Sequence, residues 1–245
     1  MFIVKIHILI SNIFLYINMN EIVKADIHNF IKTIPDNSID FIYTDPPFNT
    51  TKASWDKGLD WKILFPEMWR ILTPTGTIAL YSAIPFTYEL LKYETPKYHW
   101  TWVKNNTTGF FQCKFAPLRA TEEILIYYKK RGGYNPQMIG NKFYKKRNVK
   151  YGGQHGYYGS DGINKKNVYN KEEGHYGNYP SNVINYPIRK DDSGITRTDE
   201  QIDFFIKSYS NEYDTVLDMT CHNNYVSKRC NELLRNYVGC DLNPK

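Results

Sequence analysis

No two cysteines of this 245-residue chain stand at the close paired spacing that metal ligation uses: Cys113, Cys221, Cys230 and Cys240 are dispersed, and so are the six histidines. A zinc or other metal centre is therefore not expected, and four cysteines are too few for the disulfide framework of a secreted scaffold. Free thiols in a reducing, cytoplasmic setting follow. Long apolar runs are missing too, apart from residues 1–18. That stretch carries Lys5, His7, Ser11 and Asn12, is short for a bilayer span and lacks a small-residue cleavage site, so a membrane anchor is not expected and a signal peptide is disfavoured. It reads as an extension produced by an upstream start, or as an extra packed strand or helix. Acidic charge is in deficit: Lys and Arg number 31 against 25 Asp and Glu, a formal charge of +6. The excess favours a polyanionic partner without deciding for one. A hydrophobic content of 42% suits one α/β domain with an inserted segment, and the length leaves little room for two full domains.

The most informative stretch is Phe41-Ile-Tyr-Thr-Asp-Pro-Pro-Phe-Asn49. Ile39 to Tyr43 is short, β-branched and aromatic, which predicts a buried strand. Pro46 and Pro47 have no backbone donors, so the chain must leave the sheet there. Asp45 is thereby placed at a strand's carboxyl end, where open α/β sheets bind ligands. An amine with two N–H groups needs two acceptors, and the Asp45 carboxylate with the Pro46 carbonyl can supply them. Satisfying both hydrogens leaves the nitrogen lone pair free, and Phe48 offers an apolar face for a flipped base. An ordinary proline-rich turn after a strand is the plainer alternative.

Thr44-Asp-Pro-Pro-Phe-Asn49 resembles the fourth conserved motif of the amino-directed DNA methyltransferases, in which an aspartate at the first place is the more usual adenine form. Trp55-Asp-Lys57, Ser82 to Phe86, Tyr98 to Lys104, Thr108-Gly-Phe110, Pro117-Leu-Arg119 and Tyr134-Asn-Pro-Gln137 are similar to further segments of the small phage-type and bacterial members. The resemblance runs over about residues 19–245. It implies S-adenosylmethionine as cofactor, double-stranded DNA as partner, no membrane, and Asp45, Pro46, Pro47 and Phe48 as the base-binding tetrad. It also admits a homodimer and a restriction endonuclease as a protein partner.

Around this stretch the chain alternates. Glu21 to Ala25 predicts a strand and Ile27 to Thr33 a helix; Asp26 between them either caps the helix or, as the resemblance implies, lies by the cofactor's adenine. Asn49 to Gly58, with Lys52, reads as a lid. A helical pattern follows over Trp61 to Leu72, then strands over Thr77 to Tyr81, His99 to Lys104 and Glu123 to Tyr128, with a helix near Thr87 to Tyr93. Trp100 and Trp102 read as core or interface, and Thr107 to Arg119 as a loop near the DNA. From Lys129 to Lys190 the composition turns to Tyr, Asn, Gly and Lys, with about a dozen basic residues against only a few acids. Its densest cluster is Lys142, Lys145, Lys146, Arg147 and Lys150, which suits phosphates in a target-recognition region; a solvated loop is the alternative.

Thr198-Asp-Glu-Gln201 matches a capping box ahead of a helix. Thr215 to Asp218, Tyr225 to Arg235 and Asn236 to Cys240 then make a strand, helix and strand, closed by Asp241. This unit resembles the family's cofactor motif, which implies cofactor contacts at Asp26, Asp45, Thr198, Asp218, Thr220, Asn223, Asn224 and Asp241. It departs from the family in the turn, Asp218-Met-Thr-Cys-His-Asn-Asn224, which has no glycine where Gly-x-Gly is usual. Asn223 and Asn224, the residues most tolerant of left-handed geometry, are expected to hold the turn instead. Because the tetrad precedes the cofactor turn, the order is similar to the permuted arrangement called the beta class. The expected fold is α/β, a doubly wound, mostly parallel sheet with helices on both faces and an inserted recognition segment. The expected function is N6-adenine methylation of DNA. Cytosine N4 methylation fits the same acceptors, and a DNA-binding relative that lost the cofactor is the rival from another class.

Overall fold

The computed structural model describes residues 5–10, 13–18, 21–130, 133–148, 168–191 and 194–244. In chain order the strands are β1 (Lys5–Ile10), β2 (Ile13–Asn18), β3 (Glu21–Lys24), β4 (Ile39–Thr44), β5 (Leu72–Ser82), β6 (Tyr98–Thr108), β7 (Arg119–Tyr128), β8 (Ile139–Asn148), β9 (Val168–Asn178), β10 (Val183–Asn185), β11 (Ile188–Asp191), β12 (Gly194–Arg197), β13 (Thr215–Asp218) and β14 (Asn236–Asp241). The helices are α1 (Ile27–Phe30), α2 (Trp61–Ile71), α3 (Phe86–Leu90), α4 (Asp199–Tyr209) and α5 (Tyr225–Glu232).

Eight strands form the central sheet in the order β10-β6-β7-β5-β4-β13-β14-β3, and only β7 runs antiparallel to its neighbours. Strands buried on both faces must be apolar on both, and the alternation here sends successive residues to opposite cores. Ile42, Ile78, Leu80, Leu125, Tyr127, Leu217 and Val238 pack with α1, α2 and α3. Phe41, Tyr43, Ala79, Tyr81, Ile124, Ile126, Val216 and Tyr237 pack on the other side with α4 and α5. Helices thus cover both faces, as a doubly wound sheet requires. Each fully buried Leu, Ile or Phe side chain contributes about 1.5–3 kcal/mol.

Caps fix where the helices begin. Asp60 accepts from Lys62 N at 3.1 Å at the start of α2, and Thr198 Oγ1 accepts from Gln201 N at 3.4 Å at the start of α4. The reciprocal half of the expected capping box is not made: Gln201 is fully buried and donates from Nε2 to the Tyr81 hydroxyl at 3.1 Å. That hydroxyl also lies 2.9 Å from the hydroxyl of Tyr43. A buried amide gains more by joining this polar pair than by turning back to the helix end.

Residues 1–135 with 181–245 form one compact unit and residues 136–180 a second. The second is built on the antiparallel pair β8–β9, in which Phe143 and Tyr176 lie with ring centroids 5.0 Å apart. The basic stretch read from the sequence is therefore divided, with residues 181–190 supplying β10 to the sheet edge and β11 beyond it. At the other end, β1 and β2 pair antiparallel with each other in a sheet of their own.

Candidate active site

The site is positioned by where two neighbouring strands part company. β4 and β13 lie side by side, Phe41 opposite Val216 and Ile42 opposite Leu217, but the chain leaves β4 toward β5 on one flank and β13 toward β14 on the other. Their carboxyl ends border the crevice that such a reversal opens. Acids line this edge strand by strand: Asp26 follows β3, Asp241 ends β14, Asp218 ends β13 and Asp45 follows β4. The edges are stitched together by Ala25 N donating to Asp241 O at 3.0 Å and Cys221 N donating to Cys240 O at 3.1 Å. Between the two central strands, Thr44 Oγ1 lies 3.1 Å from Thr220 Oγ1.

Asp45 Oδ2 accepts from Arg197 Nη2 at 2.7 Å, while Oδ1 has no partner among the described residues. Burial raises the Asp45 carboxyl, Arg197 draws it down and Glu122 raises it again; the balance pushes it up to about 6, although 42% of the side chain meets solvent. Pro46 is buried and Pro47 half-buried. Phe48 is half-buried, touches both cores and stacks on Phe86 at 5.0 Å and 17°. One ring face is thereby taken, so at most one remains for a base.

The loop after the tetrad is stapled at its root. Asp56 is 3% exposed and accepts from Asn49 N at 2.6 Å, Thr50 N at 2.9 Å and Thr51 N at 2.6 Å. Burial alone would raise its carboxyl, but these donors outweigh burial and hold it below its ordinary value. Asn49 takes the left-handed φ of 54° that the sharp exit requires. Lys52 and Trp55 are left exposed on this loop.

The glycine-free turn exists, but not as its asparagines suggested. His222 carries the positive φ, 44°, whereas Asn224 sits at φ −90° as the residue before α5. Asn223 instead accepts from Tyr225 N at 3.1 Å through its side-chain oxygen. The left-handed place falls at His222 because the Asp241 carboxylate accepts from its N–H at 3.1 Å, pinning the backbone there. Asp241 also accepts from Asn243 N at 2.7 Å. Asp218 is 5% exposed and accepts from Thr220 N at 3.2 Å. Its burial is the main reason its carboxyl rises, the Thr220 N–H opposes the rise, and Asp45 and Asp241 add to it; the result is about 8. Asp26 caps α1, accepting from His28 N at 2.8 Å. Thr198 is buried at its own cap.

The residues assigned to DNA are distributed differently. Lys142 is exposed in the second unit with its Nζ 5.5 Å from the Tyr144 ring centroid. Lys145, Lys146 and Arg147 lie along β8, and Lys150 falls outside the described residues. The loop between β6 and β7 stands at the same carboxyl edge as Asp45 and exposes Phe110, Phe111 and Phe115. Trp100 and Trp102 are core residues, 3% and 0% exposed, as their pattern suggested.

Two residues beside Asp45 escaped the sequence reading. Arg197 ends β12 immediately before the α4 cap, and Glu122 lies on β7 and accepts from Arg197 Nη2 at 2.9 Å. The available signal was local: Arg197 is a lone basic residue next to a cap, and Glu122 one of two adjacent acids just ahead of the apolar run Ile124 to Tyr128.

Comparison with known proteins agrees with this geometry. The family model described as DNA methylase, covering N6 and N4 enzymes, matches residues 39–245. The chain is similar to the type II methyltransferase M.HpaI of Haemophilus parainfluenzae, 28% identical over 231 residues, covering 87% of this chain and 67% of that protein. It is similar to the type II methyltransferase M.BamHI of Bacillus amyloliquefaciens, 25% identical over 225 residues, covering 84% of this chain but only half, 50%, of that one. Among solved structures, the M1.HpyAVI–SAM complex shares the fold at TM-score 0.55 and 20% identity, over 90% of this chain and 92% of that one. The cytosine-N4-specific PvuII DNA methyltransferase does so at TM-score 0.59 and 12% identity, over 90% and 81%.

Proposed function

Because this chain belongs to the N6/N4 DNA methylase family, we propose that it is a site-specific DNA methyltransferase acting on the N6 amine of adenine in double-stranded DNA, with S-adenosylmethionine as methyl donor. The observation that carries this reading is Asp45, held at the switch point with Oδ2 on Arg197 and Oδ1 open. Oδ1 and the Pro46 carbonyl accept the two amine hydrogens, which leaves the nitrogen lone pair unengaged, and Phe48 supports the extruded ring. The donor set suits a cationic cofactor: Asp218 is a buried carboxyl among Asp45 and Asp241, and Asp241 and Asp26 are the acceptors for ribose hydroxyls and an adenine amine. Thr198, Thr220, Asn223 and Asn224 complete its surroundings. When bound, S-adenosylmethionine supplies an electrophilic methyl group.

Methylation-sensitive sequencing of DNA from cells expressing the chain tests product and site together. Methyl groups on adenine N6 at one sequence are expected. Methyl groups on cytosine N4 would keep the enzyme and change the base, and unmodified DNA would favour a binding relative.

Cofactor binding should depend on pH with a fixed sign. With Asp218 near 8, the ligand-free carboxyl is mostly protonated at pH 7. A cation favours the ionised form, so binding expels a proton, and affinity climbs by up to about tenfold per pH unit until it levels above pH 8. Calorimetry at pH 6.5 and 8.5, in buffers of different ionisation heat, reads both affinity and released protons. Equal affinity at both values would remove Asp218 from the cationic end of the site.

The basic hairpin makes a separate prediction. Replacing Lys142, Lys145, Lys146 and Arg147 by glutamine should weaken binding on all DNA sequences alike. It should also flatten the log-affinity against log-salt slope by about 0.9 per lost phosphate contact. A slope that stays put would leave β8 as a solvated ribbon.

A further inference from the structure

Arg197 is the cation paired with Asp45, and its environment is unusual for a charged group. Its side chain is 11% exposed, and its Nη2 donates both to Asp45 Oδ2 at 2.7 Å and to Glu122 Oε2 at 2.9 Å. Its Cζ lies 4.4 Å from the Tyr81 ring centroid and 4.5 Å from that of Trp102, and its Nε is buried without a hydrogen-bond partner. Behind it, Glu122 Oε1 accepts from Lys104 Nζ at 3.0 Å, and the Lys104 side chain is 3% exposed. Four charges of alternating sign therefore run from the tetrad into the sheet: Asp45, Arg197, Glu122, Lys104.

Such a row is a poor device for stability. Desolvating ions costs about as much as their pairing returns, and the unpaired Nε–H adds a further penalty. A core filled with apolar side chains would be at least as stable. What the row does supply is orientation: two rings set at right angles to each other, Tyr81 and Trp102, lie against Arg197's guanidinium, so its fork has little freedom, and the carboxylate it grips inherits that restriction.

We propose that Arg197 is a positioning residue for methyl transfer: with Glu122 and Lys104 behind it, it locks the Asp45 carboxylate by Oδ2 and keeps it ionised, so that Oδ1 faces the target amine. This rests on the reading of Asp45 as the amine acceptor. The groups facing Asp45 are Arg197 from β12, Glu122 from β7, Asp218 from β13, and the phenols of Tyr43 and Tyr81. Burial keeps both phenols protonated, so they add no charge near neutral pH.

The test is a carboxyl-carbon NMR titration of Asp45 in the full chain, its signal assigned by its loss in Asp45→Asn. Arg197→Met should raise the Asp45 midpoint by about one pH unit or more, because the opposite charge is gone, whereas Glu122→Gln should lower it, because a like charge is gone. Opposite shifts are not what general loosening would produce. In transfer assays Arg197→Met should lower kcat by about ten- to a hundredfold with KM for S-adenosylmethionine little changed, and Arg197→Lys should restore the midpoint better than the rate. An unmoved midpoint in Arg197→Met, or shifts of the same sign in both variants, overturns the proposal. If Arg197→Met fails to fold, a Glu122→Gln midpoint that stays or rises does so alone. A wild type that transfers no methyl group would sink the enzyme reading, while the titration would still decide what Arg197 does to Asp45.

Discussion

Alanine at Asp45 is expected to reduce methyl transfer by about 10²–10³ or more, with the fold largely kept. The carboxylate supplies one of the two acceptors for the amine, so its loss leaves the amine with the Pro46 carbonyl. Folding should survive because the strand that carries it is fixed elsewhere: Phe41, Ile42 and Thr44 are fully buried, and Asp40 Oδ2 accepts from Thr215 N at 2.9 Å. Arg197 would keep Glu122 as its partner. Single-turnover transfer with purified protein, beside a thermal melt, separates chemistry from stability. A folded Asp45→Ala protein that transfers at near the wild-type rate would remove Asp45 from the mechanism. For the wild type, the sign with pH follows from a carboxyl near 6: the ionised acceptor is present above that value, and transfer should fall as the pH drops through it.

The second large effect is expected at the cofactor turn. Valine at His222 should weaken S-adenosylmethionine binding by about five- to thirtyfold, since forcing a β-branched residue into left-handed geometry costs about 1–2 kcal/mol. Glycine at the same place should bind as well as histidine or better. Asp241→Ala should be at least as damaging, because one carboxylate holds both the His222 and the Asn243 N–H groups. A charge-assisted hydrogen bond is worth about 1.5–3 kcal/mol, so losing one alone predicts roughly ten- to a hundredfold. Valine at Asn224, which has φ −90°, should by contrast be tolerated by the backbone. Equilibrium titration of the four variants reads the order directly, and a harmless His222→Val would show that the turn does not shape the site.

Much of the sheet was legible because its strands announce themselves chemically. Ile39 to Tyr43 is short, β-branched and stopped by two prolines, and the observed strand ends at Thr44. Thr215 to Asp218 was placed residue for residue. Edges were harder: β5 begins at Leu72, directly out of α2, because a single break in φ and ψ suffices where helix meets strand, and Pro74 and Gly76, which read as a turn, lie inside the strand. The carboxyl-edge acids were visible as strand-end residues. Asp56 was not, since an acid in a polar loop looks solvated until its three backbone donors are seen. Arg197 was invisible for a related reason: its partners lie 75 residues away at Glu122 and farther still at Asp45, and no local pattern records a pairing across the sheet. The positive φ at His222 was misplaced onto the asparagines because intrinsic tolerance was weighed without the anchoring carboxylate, which is 19 residues downstream.

The adjacency of β4 and β13 has a consequence for how the chain comes off the ribosome. Thr44 and Thr220 touch across 176 residues of sequence, and Glu21 pairs opposite Val238. At about 5–20 residues per second, roughly 10–30 s of translation separates the two central strands. During that interval β4 has β5 on one side and a bare row of amides and carbonyls on the other, an invitation to intermolecular pairing for a segment as apolar as Phe41-Ile-Tyr. Contacts of such long span also close slowly in the free chain. The crevice does not exist in any nascent intermediate, so catalytic competence arrives only with the last strands, and growth conditions that slow aggregation should raise the active yield more than those that raise synthesis.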